Sequence, residues 1–260
     1  IVRCAQLTSI NKYNEIINKI IKYYTKEAGV RSLDRTIAKI CRKAAKIIVG
    51  KEKKSIKVTS KNITKYLGKE KFRQDEANEK NEIGIVRGLA WTSVGGDTLQ
   101  IEVNTMPGKG ILVLTGNLGD VMKESAQIAL SYAKSVAKEY GVDSKFFKEN
   151  DIHMHIPEGA VPKDGPSAGI TMSTAIVSAI ANIPVDRYLA MTGEVTLTGI
   201  VLPIGGLKEK LLAANKAGMT KVIVPEANRG DVEELDAEII GDMKIVYALT
   251  MDDVLKEAII

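Results

Sequence analysis

The stretch that decides the fold runs from Asp151 to Ile183: Asp151-Ile-His-Met-His-Ile156, then Pro157-Glu-Gly-Ala-Val-Pro-Lys-Asp-Gly-Pro-Ser-Ala-Gly169, then Ile170-Thr-Met-Ser-Thr-Ala-Ile-Val-Ser-Ala-Ile-Ala-Asn-Ile183. The first piece alternates apolar and polar residues and reads as a strand. The middle carries three prolines and three glycines and must be a loop. The last piece, 167–183, is apolar and small on every side, which suits a helix buried within an α/β domain. Ser167 falls at that helix's N-terminus and is a candidate N-cap. Unpaired N–H groups and the positive dipole end gather there, and they can stabilise a developing oxyanion.

Outward from this stretch, strands are expected at 83–91, 97–105, 110–115, 151–156, 188–192, 195–202, 221–225 and 244–249, all rich in Ile, Val, Leu and Thr. Helices are expected at 119–140, 167–183, 207–217, 229–240 and 250–258. Pro107-Gly-Lys-Gly110 reads as a hairpin turn. Strands come first and then alternate with helices, so this region is α/β (α+β). Residues 1–72 read as helical instead. Ile16, Ile17, Ile20, Ile21 and Tyr24 form one stripe, and Leu33, Ile37, Ile40, Ala44, Ile47 and Ile48 form another that ends at Gly50. Ser32 reads as the second helix's N-cap, Val58 as part of a short strand, and Ser60 as the start of a helix ending at Gly68.

Charge divides the chain at the same place. Residues 1–80 hold 21 Lys and Arg against 8 Asp and Glu, a net +13, whereas residues 81–260 hold 16 against 24, a net −8. The expected organisation is a small helical domain over 1–72, a polar linker over 73–81 and a larger domain over 82–260. The basic half allows DNA as a partner, though no nucleic-acid motif accompanies the charge. Cys4 and Cys41 are too few for a disulfide framework, which points to a reducing compartment, and no metal-ligand cluster or membrane span is evident. The chain starts at Ile1, so it reads as a fragment of a longer protein.

Two kinds of base could activate Ser167. Gly165-Pro-Ser-Ala-Gly169 matches the G-x-S-x-G elbow of α/β-hydrolases, but that arrangement needs a histidine after the serine. Both histidines, His153 and His155, precede it. Lysine is the other candidate, provided burial keeps it uncharged. Leu207-Lys-Glu-Lys-Leu211 offers two, Lys208 and Lys210, about 200° apart around a helix, so only one of them can face inward.

These strings resemble the Lon family of ATP-dependent proteases. Pro162-Lys-Asp-Gly-Pro-Ser-Ala-Gly169 is similar to the family's nucleophile motif. Met191-Thr-Gly-Glu194 and Leu202-Pro-Ile-Gly-Gly-Leu-Lys-Glu-Lys-Leu-Leu-Ala-Ala214 are similar to its other signatures, and Gly88-Leu-Ala-Trp-Thr92 with Gly95-Gly-Asp97 to the start of its protease domain. Thr25-Lys-Glu-Ala-Gly-Val-Arg31 resembles the sensor-2 region of its AAA+ module, in the small all-α subdomain.

The resemblance implies a Lon-type protease domain that hydrolyses peptide bonds with a Ser–Lys dyad: Ser167 as nucleophile, Lys210 as base, and Thr192 orienting the lysine. It also implies that Asp164 lies near the site and blocks it in inactive states, that Glu102, His153 and His155 surround it, and that Arg31 senses nucleotide. The parent protein is expected to use ATP and Mg²⁺, to form hexamers, and to degrade misfolded and regulatory proteins in a bacterial cytoplasm. This chain has no G-x-x-x-x-G-K-[ST], so it is not expected to hydrolyse ATP alone, and the dyad itself needs no cofactor. The competing reading is a Lon-like binding domain that has lost proteolysis; such homologues lack the dyad residues that this chain keeps.

Overall fold

The computed structural model describes residues 10–27, 29–51, 55–72 and 78–260. The chain forms two compact units, divided between residues 75 and 76. Cys4 and part of the expected linker, residues 73–77, lie outside the described residues.

The first unit holds α1 (Ile10–Tyr24), α2 (Arg31–Val49) and the single turn α3 (Thr64–Leu67). Ile20, Tyr24, Ile40, Ile63, Tyr66 and Leu67 make its core. Tyr24 ties the unit together, donating from its hydroxyl to the Gly68 carbonyl at 2.9 Å. Ser32 is not the N-cap of α2. It lies inside the helix, and the carboxylate of Glu27 caps from the preceding loop, accepting from Ser32 N–H at 2.7 Å and Leu33 N–H at 2.8 Å. Those two bonds hold the Glu27 carboxyl below its ordinary pKa. Val58 lies in irregular chain, and the expected 60–68 helix is a turn followed by α3.

The second unit opens with β1 (Glu82–Ile83), β2 (Ile85–Thr92), β3 (Gly95–Pro107) and β4 (Leu112–Thr115). Helix α4 (Asp120–Val136), a 3-10 turn (Ala137–Tyr140) and α5 (Phe146–Glu149) lead to β5 (Asn150–His155) and then α6 (Gly169–Ala181). After it come β6 (Pro184–Val185), β7 (Leu189–Met191), β8 (Glu194–Val195), β9 (Val201–Leu202) and α7 (Leu207–Lys216). The chain closes with β10 (Lys221–Pro225), a 3-10 turn (Glu226–Asn228), α8 (Arg229–Glu233), α9 (Ala237–Ile240), β11 (Lys244–Ala248) and α10 (Met251–Ala258).

Seven strands form one mixed sheet in the order β11-β10-β7-β2-β3-β5-β4. The strands from β11 through β2 are mutually parallel, β3 is antiparallel to both β2 and β5, and β4 runs parallel to β5. Alternation splits the side chains between two faces. Val86, Ile101, Val103 and Met154 turn to the face packed by α4, α6 and α10; Leu89, Ala190, Val222 and Val224 turn to the face packed by α7. Helix α6 is buried over 11 of its 13 residues, and two of its hydroxyls bond to backbone carbonyls, Thr174 to Ile170 O and Ser178 to Ile183 O, whereas the buried Ser173 hydroxyl has no partner among the described residues.

Four expectations yield to long-range packing. Pro107–Gly110 is not a hairpin turn, because β5 inserts between β3 and β4; the Asp151 carboxylate instead gathers the N–H groups of Lys109 and Ile111, each at 2.8 Å. The expected strand 195–202 is the tight hairpin β8–β9, folded at Gly199, which has a positive φ of 82° and lies against the Tyr132 ring. The expected helix 229–240 is two helices: α8 stops at Glu233, capped by Glu234, and Asp236, in extended conformation, is the N-cap that starts α9. The helix expected from residue 167 begins at Gly169, with Ala168 as its N-cap, so Ser167 stands in the turn just before it.

Candidate active site

Strand β7 ends at Met191, and helices from opposite faces of the sheet begin beside that end: α6 on one side, α7 on the other. The Gly193 N–H donates to Ser167 O at 2.8 Å, and Ile170 N–H donates to Gly193 O at 3.1 Å, so the start of α6 is stitched to the residues that follow β7. Thr192 N–H donates to Ile223 O of β10 at 3.1 Å, which fixes the strand end from the other side. A Cβ on Gly193 would stand only 3.1 Å from Ile170 and Val201, so the close approach of α6 to this strand end needs a glycine, and a glycine directly after Thr192 is the only trace of that in the sequence.

Lys210 occupies the first turn of α7 and is 3% exposed, between the buried Leu207 and Leu211, while Lys208 is exposed. Its amine donates to Thr192 Oγ1 at 3.1 Å. Thr192, fully buried, donates in turn to the Ser167 carbonyl at 3.2 Å. Burial alone lowers the Lys210 pKa to about 8. Among the described residues no carboxylate forms an ion pair with this amine, so nothing opposes that shift. Ser167 is half-buried, and no hydrogen bond joins its hydroxyl to Lys210.

Helix α7 is placed by close backbone contact. Gly96 of β3 lies directly against the Glu209 carbonyl, where a Cβ would come within 1.9 Å of the oxygen. Gly206, at φ 67°, starts the helix against Trp91.

The other expected site residues make their hydrogen bonds with other partners. The Asp164 carboxylate accepts from Met122 N–H at 3.0 Å and Gly165 N–H at 2.9 Å, so it caps α4, and among the described residues it forms no ion pair with a lysine. Glu102 and His155 are register partners on β3 and β5, and Glu102 accepts from Gln100 at 2.8 Å. His153 Nε2 and His155 Nδ1 share the Thr115 hydroxyl, at 3.0 and 2.7 Å. Among the described residues none of these three is hydrogen-bonded to Ser167, Thr192 or Lys210. Arg31 is exposed at the start of α2 in the other unit. Glu27 takes the adjacent N–H groups of Ser32 and Leu33, while Arg35 and Lys39 follow Arg31 along the exposed side of α2 and are cations that could meet a nucleotide phosphate. No helix of the described residues is long and apolar enough to cross a membrane.

Comparison with known proteins identifies the domains that carry these residues. Residues 57–260 match the Lon protease (S16) C-terminal proteolytic domain, and residues 7–57 match the Lon protease AAA+ ATPase lid domain. Among curated relatives, Lon protease of Bacillus thuringiensis is 56% identical over 95% of this chain and 31% of its own length. Lon protease 1 of Bacillus subtilis is 54% identical over 95% of this chain and 32% of its own length. Lon protease of Lachnoclostridium phytofermentans is 52% identical over 97% of this chain and 36% of its own length. The chain thus spans about a third of the length of the curated relatives it matches. A buried lysine, a threonine and a serine meet at one strand end in a domain of this descent, and the chain belongs to the Lon protease family.

Proposed function

We propose that the second unit is a serine endopeptidase working through Ser167 and Lys210. The observation that carries this reading is the amine: buried, facing no carboxylate, and hydrogen-bonded to a hydroxyl that is itself bonded to the Ser167 backbone. A pKa of about 8 leaves a usable fraction of neutral amine at neutral pH. The reaction requires hydroxyl and amine to come within about 2.6–3.2 Å.

The neutral Lys210 Nζ takes the proton of Ser167 Oγ as the oxygen bonds to the scissile carbonyl carbon. The carbonyl π electrons move to oxygen. The backbone N–H groups of Ser167 and Ala168, in the turn entering α6, carry no bond among the described residues and are the donors proposed to receive that oxyanion. Collapse of the intermediate breaks the C–N bond, and the Lys210 ammonium returns its proton to the leaving amine, which leaves an ester on Ser167. Water, deprotonated by the same amine, then hydrolyses the ester.

We further propose that the parent protein is ATP-dependent and hexameric, and that it degrades misfolded and short-lived regulatory proteins in the bacterial cytoplasm. No step above runs through nucleotide. Measuring peptide cleavage by Ser167→Ala tests the assignment: activity is expected to vanish with the fold retained, and persistent cleavage removes Ser167 as nucleophile.

A further inference from the structure

The connection that launches α7 is Pro203-Ile-Gly-Gly206. Two adjacent glycines make it soft, and nothing lies within 4 Å of where a Cβ on Gly205 would stand. Yet this connection sets the origin of the helix whose first turn carries Lys210. Within it, Ile204 alone is gripped on both sides of its backbone. Asn228 Oδ1 accepts from Ile204 N–H at 3.0 Å, and Asn228 Nδ2 donates to Ile204 O at 3.0 Å. The carboxamide thus does for Ile204 what a neighbouring strand would do. The second amide hydrogen goes to Asp231 Oδ2 at 2.6 Å, a charge-assisted bond that fixes which end of the amide carries the nitrogen.

Asn228 is 3% exposed, so its carboxamide end of each bond is shielded from bulk water, although Asp231 itself is exposed. It sits at the end of the 3-10 turn after β10, the strand that also receives the Thr192 N–H. Strand β10 and the turn that follows it therefore reference both the residue whose hydroxyl meets the amine and the loop that aims it.

We propose that Asn228 is a positioning residue for the Lys210 amine, holding the Pro203–Gly206 connection in the geometry that brings Lys210 to Thr192. The proposal rests on the Ser–Lys reading above. Loss of the clamp lets the start of α7 drift and admits water to the amine, which then regains its proton at higher pH.

The test is made in the full-length protein, with kcat and KM for a peptide substrate measured from pH 7 to 10 beside thermal unfolding. In Asn228→Ala, kcat at pH 7.5 is expected to fall at least tenfold with KM within twofold. The deficit is expected to shrink to threefold or less by pH 9.5, as the more solvated amine deprotonates. Asp231→Ala leaves both Ile204 bonds and alters an exposed side chain, so it serves if Asn228→Ala does not fold; a two- to fourfold loss with the same upward shift of the pH midpoint is expected. Unchanged pH midpoints in the folded variants, or losses that only follow the unfolded fraction, overturn the proposal. Lys210→Met separates the two ideas. If it keeps cleaving, the Ser–Lys reading fails; if it is dead while the Asn228 and Asp231 variants titrate like the parent, only the positioning role fails.

Discussion

Helices α2 and α7 both carry several cations and put them to different use. On α2, Arg31, Arg35, Lys39, Arg42, Lys43 and Lys46 are all exposed, and the apolar stripe on the opposite side packs the core. On α7, Lys208 and Lys216 are exposed in the same way, but Lys210 lies on the apolar side with Leu207 and Leu211. The lysines of the two helices share the same side-chain chemistry. What differs is solvation, and solvation decides whether a lysine is a permanent cation or a base.

The largest test of that contrast is Lys210→Met, expected to lower peptide cleavage about a thousandfold or more by analogy with removal of a proton-transferring residue elsewhere. Lys39→Gln is expected to leave the rate of short-peptide cleavage unchanged. A tenfold loss from Lys39→Gln, or activity in Lys210→Met, breaks the comparison.

Next comes Gly96→Ala. Its new Cβ would press on the Glu209 carbonyl, the peptide just before Lys210, so the helix must shift. A loss of about 2 kcal/mol in unfolding free energy, together with at least tenfold in kcat, is expected.

The cost of burying the amine is itself measurable. Its pKa is about 8 in the fold against 10.5 for the free side chain, so below pH 8 the folded state holds the proton less favourably than the unfolded state does. Stability conceded to Lys210 is therefore greatest below pH 8 and recovers as pH rises to 10.5. Lys210→Met is expected to be more stable than the parent by about 3 kcal/mol at pH 7, with the gap closing by pH 10.5 in denaturant titrations. Cleavage by the parent should rise over the same lower range, with a midpoint near pH 8. A flat or falling profile there would contradict a lysine base.

The smallest effect belongs to the first unit. Glu27→Ala removes the cap on α2 and is expected to lower that unit's melting temperature by about 4 °C. The Glu27 carboxyl is held below its ordinary 4.5, so the effect should be complete above pH 4.5 and fade as the carboxyl protonates under acid.

Local patterns carried most of the fold. The 3.6-residue stripes of α1 and α2 and the β-branched runs of β2, β3, β5, β10 and β11 are visible without coordinates. What escaped was set at long range. Pro107–Gly110 has the composition of a hairpin, and only the insertion of β5 makes it a crossover. Ser32 has the composition of a cap, but Glu27 arrives from the loop and takes the N–H groups first. At the site, spacing separated Lys208 from Lys210 without saying which lies inward. The sheet answers that, because α7 packs Leu207 and Leu211 onto it. Asn228 gave no signal at all, since an asparagine after a strand looks like any turn residue.

One consequence of the Thr192 hydroxyl concerns counting hydrogens. A hydroxyl owns a single one, and here it is committed to the Ser167 carbonyl. Thr192 therefore has nothing left to give the neighbouring nitrogen and can only receive from it. Once deprotonated, that nitrogen must spend an N–H on the threonine, and its electron pair stays unengaged, open to the next proton that comes within reach.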